Sequence, residues 1–232
     1  MKLLALDTAS AQCSAALLYE DRLCSRRAPT ARDHATLILP MIDALLAEAG
    51  VKLQQLDGIA FGRGPGSFTG VRIAAAVTQG LAAGADLPVL PVSDLRALAA
   101  QARRVAPPTS TAARHVLACM DARMGEVYWG VFEDSDALPC VPGWSEAVTA
   151  PAALPEGLRG TLARAAGRGL SAHPELPEWL GVPRVACLID AEPDALDVAR
   201  LAACDLAGGC AWLDALAAQP VYLRDQVAQP PR

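Results

Sequence analysis

A glycine-rich turn followed by a helix of small residues constrains the fold of this chain more than any other segment. An apolar run at 56–61 leads into three glycines and a proline within the five positions 62–66. Glycine tolerates backbone conformations with φ > 0, so the chain can turn sharply at this point. Ser67 follows the turn, and its hydroxyl can accept a hydrogen bond from an amide in the first turn of a helix. The segment therefore predicts a strand, a tight turn and a helix in direct succession.

The helix expected from about Val71 to Ala85 presents apolar or small side chains around almost its whole circumference. Its polar side chains are those of Arg72, Thr78 and Gln79. A surface helix usually has a single apolar stripe, so one face of this helix can cover its own sheet while another face needs a second cover. Small residues spaced four apart would let another helix approach closely, and they are Gly70 with Ala74, and Ala76 with Gly80 and Gly84. Two interpretations remain open, contact with a partner and burial within one large core.

The first part of the chain predicts the element order β-β-β-α-β-α-β-α. An antiparallel meander is expected at 2–7, 13–18 and 23–28. Asp7 stands at its first corner, where capping of backbone amides is enough to explain an aspartate. Asp33 can cap a helix at 34–49 that Gly50 ends, although Pro40 within it predicts a kink or a late start. The remaining elements are a strand at 56–61, the small-residue helix, a strand at 89–92 and a helix that Ser93 or Asp94 caps.

The pattern begins again after a linker expected at 107–113. An apolar strand at 116–120 ends in Asp121, and a second strand follows at 126–132. A shift of 114 places superposes Asp7 on Asp121 without a gap. The repetition predicts two lobes of related topology, each opening with a strand, an aspartate and a hairpin.

The predicted lobes are 1–105 and 106–232, and the second is expected to be reduced. Its middle part, 138–183, is rich in proline and glycine and has little periodic signal. The later elements expected are a strand near 185–189, a helix at 194–207 and a short helix at 211–218. The last helix can pack back on the first lobe.

Charge and composition argue against a nucleic-acid-binding protein, a membrane-spanning protein and an exported protein. There are 25 acidic and 20 basic side chains, a net charge of -5, whereas a protein that grips nucleic acid alone usually has a basic surplus. No run approaches the roughly 20 apolar residues that span a bilayer, and the N-terminus enters a strand directly. Seven cysteines without a C-x-x-C pair suggest reduced, buried thiols. We therefore expect an unexported, cytoplasmic protein that does not contact a membrane.

The glycine turn lacks the residues of the known phosphate and nucleophile loops. A Walker loop requires Gly-Lys-Ser/Thr, and no lysine follows Lys52. A dinucleotide fingerprint that starts at Gly62 needs glycine where Ser67 stands, and a nucleophile elbow needs G-x-S-x-G where the chain has G-S-F-T-G. A catalytic role is the less favoured alternative to a structural one. The residues of the predicted structural loop are Gly62, Gly64, Pro65, Gly66, Ser67 and Thr69.

No metal site is expected, and a nucleotide could face only two turns. The three histidines are far apart in the sequence, and Ile38 stands four residues after His34, where a second metal-binding histidine would be needed. A compact charged turn that contains Asp121, Arg123 and Glu126 can orient a phosphate or a water, although local hydrogen bonds explain it better. The candidates for facing a nucleotide are Asp7, Asp121 and Arg123.

Four segments together carry a resemblance to a known family. They are L-A-L-D-T-A at 4–9, G-R-G-P-G-S-F-T-G-V-R at 62–72, M-D-A-R-M-G-E-V-Y-W at 120–129 and P-V-Y-L-R at 220–224. In these segments the chain resembles the TsaB (YeaZ) family, the bacterial accessory subunits of tRNA N6-threonylcarbamoyladenosine synthesis. The resemblance runs from Lys2 to about Ala102, resumes at 116–132 and returns near Tyr222.

The resemblance implies both a fold and a role. The fold would be the actin-like ATPase/sugar-kinase (ASKHA) α/β fold, with two lobes of related βββαβαβα topology. The chain would be a non-catalytic scaffold that binds and activates its catalytic paralogue TsaD, which modifies position 37 of tRNAs reading ANN codons. TsaD holds a metal with an H-x-x-x-H pair, and Ile38 interrupts that pair here.

The resemblance also implies partners and an interface formed by the N-terminal helices. A TsaE-type ATPase would join the complex, and the chain would form a homodimer in isolation. Contact with tRNA would be made only through the complex. ATP would also bind only in the complex, so the chain would have no cofactor of its own. The interface residues would be Leu37, Met41, Leu45, Gly70, Arg72, Ile73, Ala76, Val77, Gly80 and Leu81. The alternative is an independent enzyme, either an ATP-dependent small-molecule kinase or a peptidase of the same fold.

Overall fold

Two five-stranded sheets form the framework of the computed structural model, which describes residues 1–30, 32–108 and 113–224. The strands of the first sheet are β1 (Lys2–Asp7), β2 (Gln12–Tyr19), β3 (Arg22–Pro29), β4 (Gly58–Gly62) and β5 (Val89–Val92). Their order is β3-β2-β1-β4-β5. The meander β1-β2-β3 is antiparallel, whereas β4 pairs parallel to β1 and β5 pairs parallel to β4.

The second sheet repeats this arrangement. Its strands are β6 (His115–Asp121), β7 (Val127–Glu133), β8 (Ala147–Thr149), β9 (Leu162–Ala166) and β10 (Cys187–Leu188). Their order is β8-β7-β6-β9-β10, with an antiparallel meander on one side of β6 and parallel pairs on the other. The same order and the same directions in both sheets give an actin-like α/β fold of two related lobes, which confirms the predicted fold class.

The helices cover the outer faces of the sheets and fill the space between them. They are α1 (His34–Ala49), α2 (Phe68–Ala85), α3 (Asp94–Val105), α4 (Gly169–Ala172), α5 (Leu176–Leu180) and α6 (Ala195–Ala207). Helices α1 and α2 pack on the first sheet, α3 packs on β6, β7 and β9, and α6 packs on β1, β2 and β4. Because α3 and α6 also contact each other, they form a layer shared by the two lobes. None of the helices in the described ranges combines the length and apolar character that crossing a bilayer requires.

Strand β1 is buried on both faces, which explains its continuous apolar sequence. Leu3 and Ala5 belong to the central cluster with α3 and α6, whereas Leu4 and Leu6 belong to the cluster under α1 and α2. Successive side chains of a strand point to opposite faces, so a strand covered on both sides cannot alternate apolar with polar residues.

The second lobe is reduced, as predicted, because short segments replace the long outer helices. Two 3₁₀ helices, Pro151–Ala153 and Glu156–Leu158, occupy the place in the chain that α1 has in the first lobe. Helices α4 and α5, of four and five residues, occupy the place of α2. Leucines from these segments still cover the outer face of the second sheet, and they are Leu154, Leu158, Leu170, Leu176 and Leu180.

Several details differ from the sequence-based expectation. Helix α1 begins at His34, so of the two alternatives expected at Pro40, a kink or a late start, the late start does not occur. Pro40 and Thr36, whose carbonyl loses its helical partner, are both exposed, and water can replace the missing hydrogen bond. Asp33 precedes the helix but its side chain makes no capping bond. Part of the predicted linker, 109–112, lies outside the described residues.

The short helix predicted at 211–218 is also wrong. Only Ala215–Ala217 is helical, as a 3₁₀ turn. Leu213 instead forms a bridge with Val89 at the edge of the first sheet, through two backbone hydrogen bonds of 2.9 and 3.0 Å. This pairing satisfies the backbone that a helix would otherwise have satisfied.

Candidate functional site

The glycine turn packs tightly against the corner that follows β1. A Cβ added to Gly66 would lie 2.4 Å from the carbonyl oxygen of Ala9, and Gly64 has a φ of +99° that other residues rarely adopt. The amide of Ser67 donates a hydrogen bond of 2.7 Å to the same Ala9 oxygen. As predicted, the Ser67 hydroxyl caps α2 by accepting from the amide of Gly70, at 3.4 Å. The turn therefore fixes where α2 begins.

Two residues of the predicted partner interface are buried within the chain, which corrects the sequence-based assignment. A Cβ on Gly70 would lie 2.0 Å from the carbonyl oxygen of Thr8, and the Thr8 hydroxyl donates to the Gly70 carbonyl at 2.7 Å. The close approach of the Thr8 backbone therefore explains the glycine at position 70, and contact with a partner helix is not needed to explain it. Leu45 is 1% exposed and lies with Ile38 and Ile42 on the buried side of α1.

The other eight predicted interface residues lie at the surface of α1 and α2. Leu37, Met41, Ile73, Val77 and Leu81 are half-buried, whereas Arg72, Ala76 and Gly80 are exposed. A Cβ on Gly80 or Gly84 would meet no atom within 4 Å. We call the surface formed by Leu37, Met41, Ile73, Ala76, Val77, Gly80 and Leu81 the α1–α2 face. It is apolar, and its two exposed residues, Ala76 and Gly80, are small.

Asp7 does not face the space between the lobes, contrary to its assignment as a nucleotide-facing residue. Its carboxylate is fully buried, and Oδ1 accepts from the amide of Ala9 at 3.1 Å. Its Oδ2 lies beside Asp94, the first residue of α3, which is also fully buried. Burial raises the pKa of both carboxyls. Sequence reasoning treated Asp94 only as an alternative helix cap, because nothing local signals its contact with a residue 87 positions away.

A cleft of about 880 Å³ separates the lobes, and two nucleotide-facing candidates line it. Its walls are the glycine turn, the first turn of α2 and the corner between β6 and β7. At that corner the Arg123 amide donates to Asp121 Oδ1 at 2.8 Å, and the Arg123 guanidinium donates to Oδ2 at 3.0 Å. Arg123 and Met124 both have positive φ, at 62° and 57°. The corner is therefore held by its own hydrogen bonds.

The other arginines that line the cleft also contact protein groups. Arg168 pairs with Glu192 at 3.1 Å, and Arg224 pairs with Glu126. The Arg72 guanidinium lies 3.3 Å from the centre of the Phe68 ring and donates to the Phe68 carbonyl at 3.0 Å. A phosphate would have to displace a carboxylate from Arg168 or Arg224, whereas Arg72 keeps its positive charge, because neither an aromatic ring nor a carbonyl neutralises a guanidinium.

The C-terminal segment crosses the cleft and joins the two lobes. The amide of Val221 donates to the carbonyl of Arg63 at 2.7 Å, and the Arg224 guanidinium donates to the carbonyl of Ala122 at 3.1 Å. Between these points the Tyr222 ring stands 6.2 Å from the Phe68 ring. The segment is therefore docked on both lobes.

Within the described ranges, no group of three or more His, Cys, Asp or Glu side chains is placed to hold a metal ion. His34 is buried, and its Nε2 lies 2.9 Å from the carbonyl oxygen of Ser10. His115 packs edge-on against Trp144, with 5.6 Å between ring centres. The described contacts of both histidines are thus packing and local hydrogen-bonding contacts.

Comparison with protein families matches residues 28–142 to the model described as TsaD, tRNA N6-adenosine threonylcarbamoyltransferase. The chain is 37% identical over 233 residues to the tRNA threonylcarbamoyladenosine biosynthesis protein TsaB of Escherichia coli (strain K12), with 98% of this chain and 96% of that protein covered. It is 51% identical over 129 residues to the protein of the same name from Haemophilus influenzae, and that match covers 56% of this chain and 52% of the relative.

A solved structure from Pseudomonas aeruginosa has the same fold. It is described as an uncharacterized protein with similarity to the peptidase YeaZ, and it superposes with a TM-score of 0.82 at 42% identity. The superposition covers 96% of this chain and 99% of that one. The similarity therefore extends over both lobes.

Proposed function

The chain belongs to the TsaB family, and we propose that it takes part in tRNA threonylcarbamoyladenosine biosynthesis as a non-catalytic scaffolding subunit. It binds a TsaD-type catalytic paralogue and activates it for the modification of position 37 in tRNAs that read ANN codons. A TsaE-type ATPase joins the complex, and tRNA is contacted only through it. In the absence of the paralogue, the chain pairs with itself.

The α1–α2 face is the observation that carries this proposal. Ala76 and Gly80 are exposed on α2, and Ile73, Val77 and Leu81 of the same helix are half-buried. A second pair of helices can approach α2 closely at Ala76 and Gly80, because neither residue has a side chain longer than a methyl group. Each Å² of apolar surface that such contact removes from water contributes about 25 cal/mol.

The family match supports a partner of the same fold. The TsaD model aligns with 28–142, a range that includes α1 and α2 of this chain. A TsaD-type protein would then present two helices related to these, and two related faces can pair around an approximate two-fold axis. Self-pairing of this chain would use the same face, so the homodimer and the mixed dimer would compete.

The cleft supports a subunit without its own catalytic activity. The arginines that line it contact acidic groups, an aromatic ring or backbone carbonyls. The turn has no lysine to hold a phosphate, and Ile38 interrupts the histidine pair with which TsaD binds metal. The purified chain is expected to show no turnover with ATP and Mg²⁺ or with peptides, and turnover in either assay would favour an independent enzyme.

Charge placed on the α1–α2 face tests the proposal. Gly80→Glu is expected to weaken binding of the TsaD-type partner at least about 100-fold, because a carboxylate would be buried without a counter-charge. Ala76→Glu should weaken binding less, because the exposed Arg72 lies one helical turn away and can pair with the new carboxylate. The matched control is Ala152→Glu on the second lobe, where the alanine is also exposed. Calorimetric titration gives the affinities, and circular dichroism shows that each variant is folded. Parent-like affinity in Ala76→Glu and Gly80→Glu would contradict the interface.

A further inference from the structure

Two fully buried carboxyl groups face each other where β1, the glycine turn and α3 meet. Asp7 ends β1 and Asp94 begins α3, and both are 0% exposed. A Cβ on Gly62 would lie 2.1 Å from Asp7 Oδ2 and 2.2 Å from Asp94 Oδ1, so the two oxygens converge on one point. Within the described residues, neither of these oxygens accepts a hydrogen bond from an N–H or O–H donor.

No cation in the described chain forms an ion pair with either carboxyl. Arg63 is the basic group that faces Asp94, and it is engaged with Glu146 at 3.1 Å. His34 and Asp194, from α1 and the start of α6, face Asp7, and the Cys13 thiol of β2 lies near it. His34 contacts the Ser10 carbonyl, while Asp194 adds a further negative charge. Two ionised carboxylates here would repel each other strongly, since water does not screen them.

We propose that Asp7 and Asp94 share one proton in the folded chain, and that the resulting acid pair positions the glycine turn and the start of α2. One carboxyl donates its O–H to the other, which satisfies both unpartnered oxygens and leaves one negative charge in place of two. The two groups then titrate as a pair, not as independent acids. Burial raises the pKa of both carboxyls, and the charge of Asp7 raises that of Asp94 further.

The pair reaches α2 through short hydrogen-bonded links. Asp94 accepts from the amide of Gly64, and its own amide donates to the Gly64 carbonyl at 3.1 Å. On the other side Asp7 accepts from Ala9, whose carbonyl in turn accepts from the amide of Ser67, the cap of α2. Asp7 and Asp94 are positioning residues in this sense, because they fix the turn without touching a partner. This inference does not depend on the proposed function.

The shared proton makes the stability of the chain depend on pH in one direction. The pKa of the pair is raised above the value of about 3.9 that aspartate has in an unfolded chain. The folded chain therefore keeps a proton that the unfolded chain releases above about pH 4. The contribution of the shared proton to the free energy of unfolding is fully present below that pH. It is lost as the pH rises toward the raised pKa.

Infrared spectroscopy of the unaltered chain at neutral pH in D₂O tests the proposal directly. We expect the carbonyl band of a protonated carboxylic acid, and we expect Asp94→Asn and Asp7→Asn each to remove it. Asp21→Asn, which changes an exposed carboxyl, is the matched control and should leave the band. Absence of the band from the folded parent would overturn the proposal, whether or not the variants fold.

Unfolding measured from pH 5 to 8 gives a second test. Asn at position 94 can accept from Gly64 and donate to Asp7 without titrating, so Asp94→Asn removes the proton uptake. The unfolding constant of the parent, divided by that of the variant, should increase by up to about tenfold per pH unit as the pH rises, because the parent alone loses stability from the shared proton. A pH-independent ratio would contradict a shared proton. So would stabilisation of the parent by added K⁺ or Mg²⁺ without an acid band, which would indicate a bound cation.

Discussion

At the scale of single residues, glycine has two different roles within one short segment. At Gly62, Gly66 and Gly70 an added Cβ would come within 2.5 Å of the chain's own carboxylate or carbonyl oxygens. At Gly80 it would meet nothing within 4 Å. The first three glycines therefore allow the turn to pack closely against β1 and the corner that follows it. Gly80 instead leaves the α1–α2 face without a protruding side chain at that position.

Gly62→Ala is expected to destabilise the chain by about 1–3 kcal/mol, the usual cost of overpacking a filled interior. Its methyl group would overlap Asp7 and Asp94, whose buried carboxyls have no room to retreat. Gly80→Ala is the matched control and should stabilise the chain by about 0.5–1 kcal/mol, because alanine favours a helix interior. Urea unfolding measures both. A Gly62→Ala variant as stable as the parent would show that the turn has room for a methyl group beside the two carboxyls.

Cys119 should resist alkylation in the folded chain. Burial, with a smaller effect of Asp121, raises the pKa of its thiol to about 12, and its side chain is 0% exposed. Roughly one Cys119 in 10⁴ would then be a thiolate at pH 8, and the thiolate is the reactive form. Cys24 is exposed and serves as the internal control. Mass spectrometry after iodoacetamide treatment should show Cys24 modified and Cys119 intact until denaturant is added, and equal rates in the native chain would contradict the burial.

Sequence reasoning identified which residues are apolar or small but not what covers them. Gly70 and Leu45 were grouped with the partner face because their spacing matched it, yet Thr8 and the core beneath α1 cover them. Both contacts join segments distant in the chain, and a helical pattern does not distinguish an apolar residue facing its own sheet from one facing a partner. The Asp7–Asp94 contact was missed for the same reason.

At the scale of elements, α3 and α6 connect the lobes because each packs on the sheet of the other lobe. Ion pairs join the two helices to each other. Arg104 donates to the Asp197 carboxylate at 3.1 and 2.8 Å, and Arg96 donates to both carboxylate oxygens of Asp205 at 2.7 Å. Asp197 is 1% exposed, so its charge depends on this partner.

Arg104→Ala is expected to cost about 2 kcal/mol, below the roughly 3–5 kcal/mol of a fully buried pair because the Arg104 side chain is 36% exposed. The loss arises because the buried Asp197 carboxylate would lack a counter-charge. Arg26→Ala is the matched control. It breaks a pair with Glu48 in which both side chains are largely exposed, and it should cost less than about 1 kcal/mol. Equal losses of unfolding free energy in the two variants, measured by thermal or urea unfolding, would mean that water solvates the Asp197 carboxylate when Arg104 is absent.

The long elements could be predicted from the sequence, and most of the short ones could not. Helices α1, α3 and α6 have clear caps or ends, such as Gly50 in the left-handed conformation and Asp194 bonded to the Leu196 amide. Strand β8 has three residues, which is too few for a periodic pattern, whereas β10 lies within the strand expected near 185–189. Strand β9 contains Arg164, buried because it donates to the Ala106 carbonyl and pairs with Asp134. Those contacts are tertiary, so the local sequence gave no sign of a strand.

At the scale of the whole molecule, the two lobes share one interior. The boundary expected at 105/106 assigns α3 to the first lobe, although α3 packs on the second sheet. Arg63 and Glu146 pair across the lobes at 3.1 Å, and the segment at 220–224 spans the cleft. Neither sheet would keep its inner cover if the lobes separated, so we treat the two as one folding unit.

A single cooperative unfolding transition follows from the shared interior. Trp129, Trp144 and Trp179 belong to the second lobe, so fluorescence reports mainly that lobe, although Trp212 packs against Gly58 of the first sheet. Far-ultraviolet circular dichroism reports all the α-helices, of which α1 and α2 are the longest. The two signals should change at the same urea concentration, as in a two-state transition. Separate midpoints, with the fluorescence change at lower urea, would show that the reduced lobe unfolds on its own.

Hydrogen–deuterium exchange of the chain, alone and with its TsaD-type partner, tests the central claim most directly. Amides of α1 and α2 should become more protected in the complex, because the α1–α2 face is covered, while α5 and β9 of the second lobe should exchange as before. Protection confined to the second lobe or the cleft, with unchanged exchange in α1 and α2, would contradict the account.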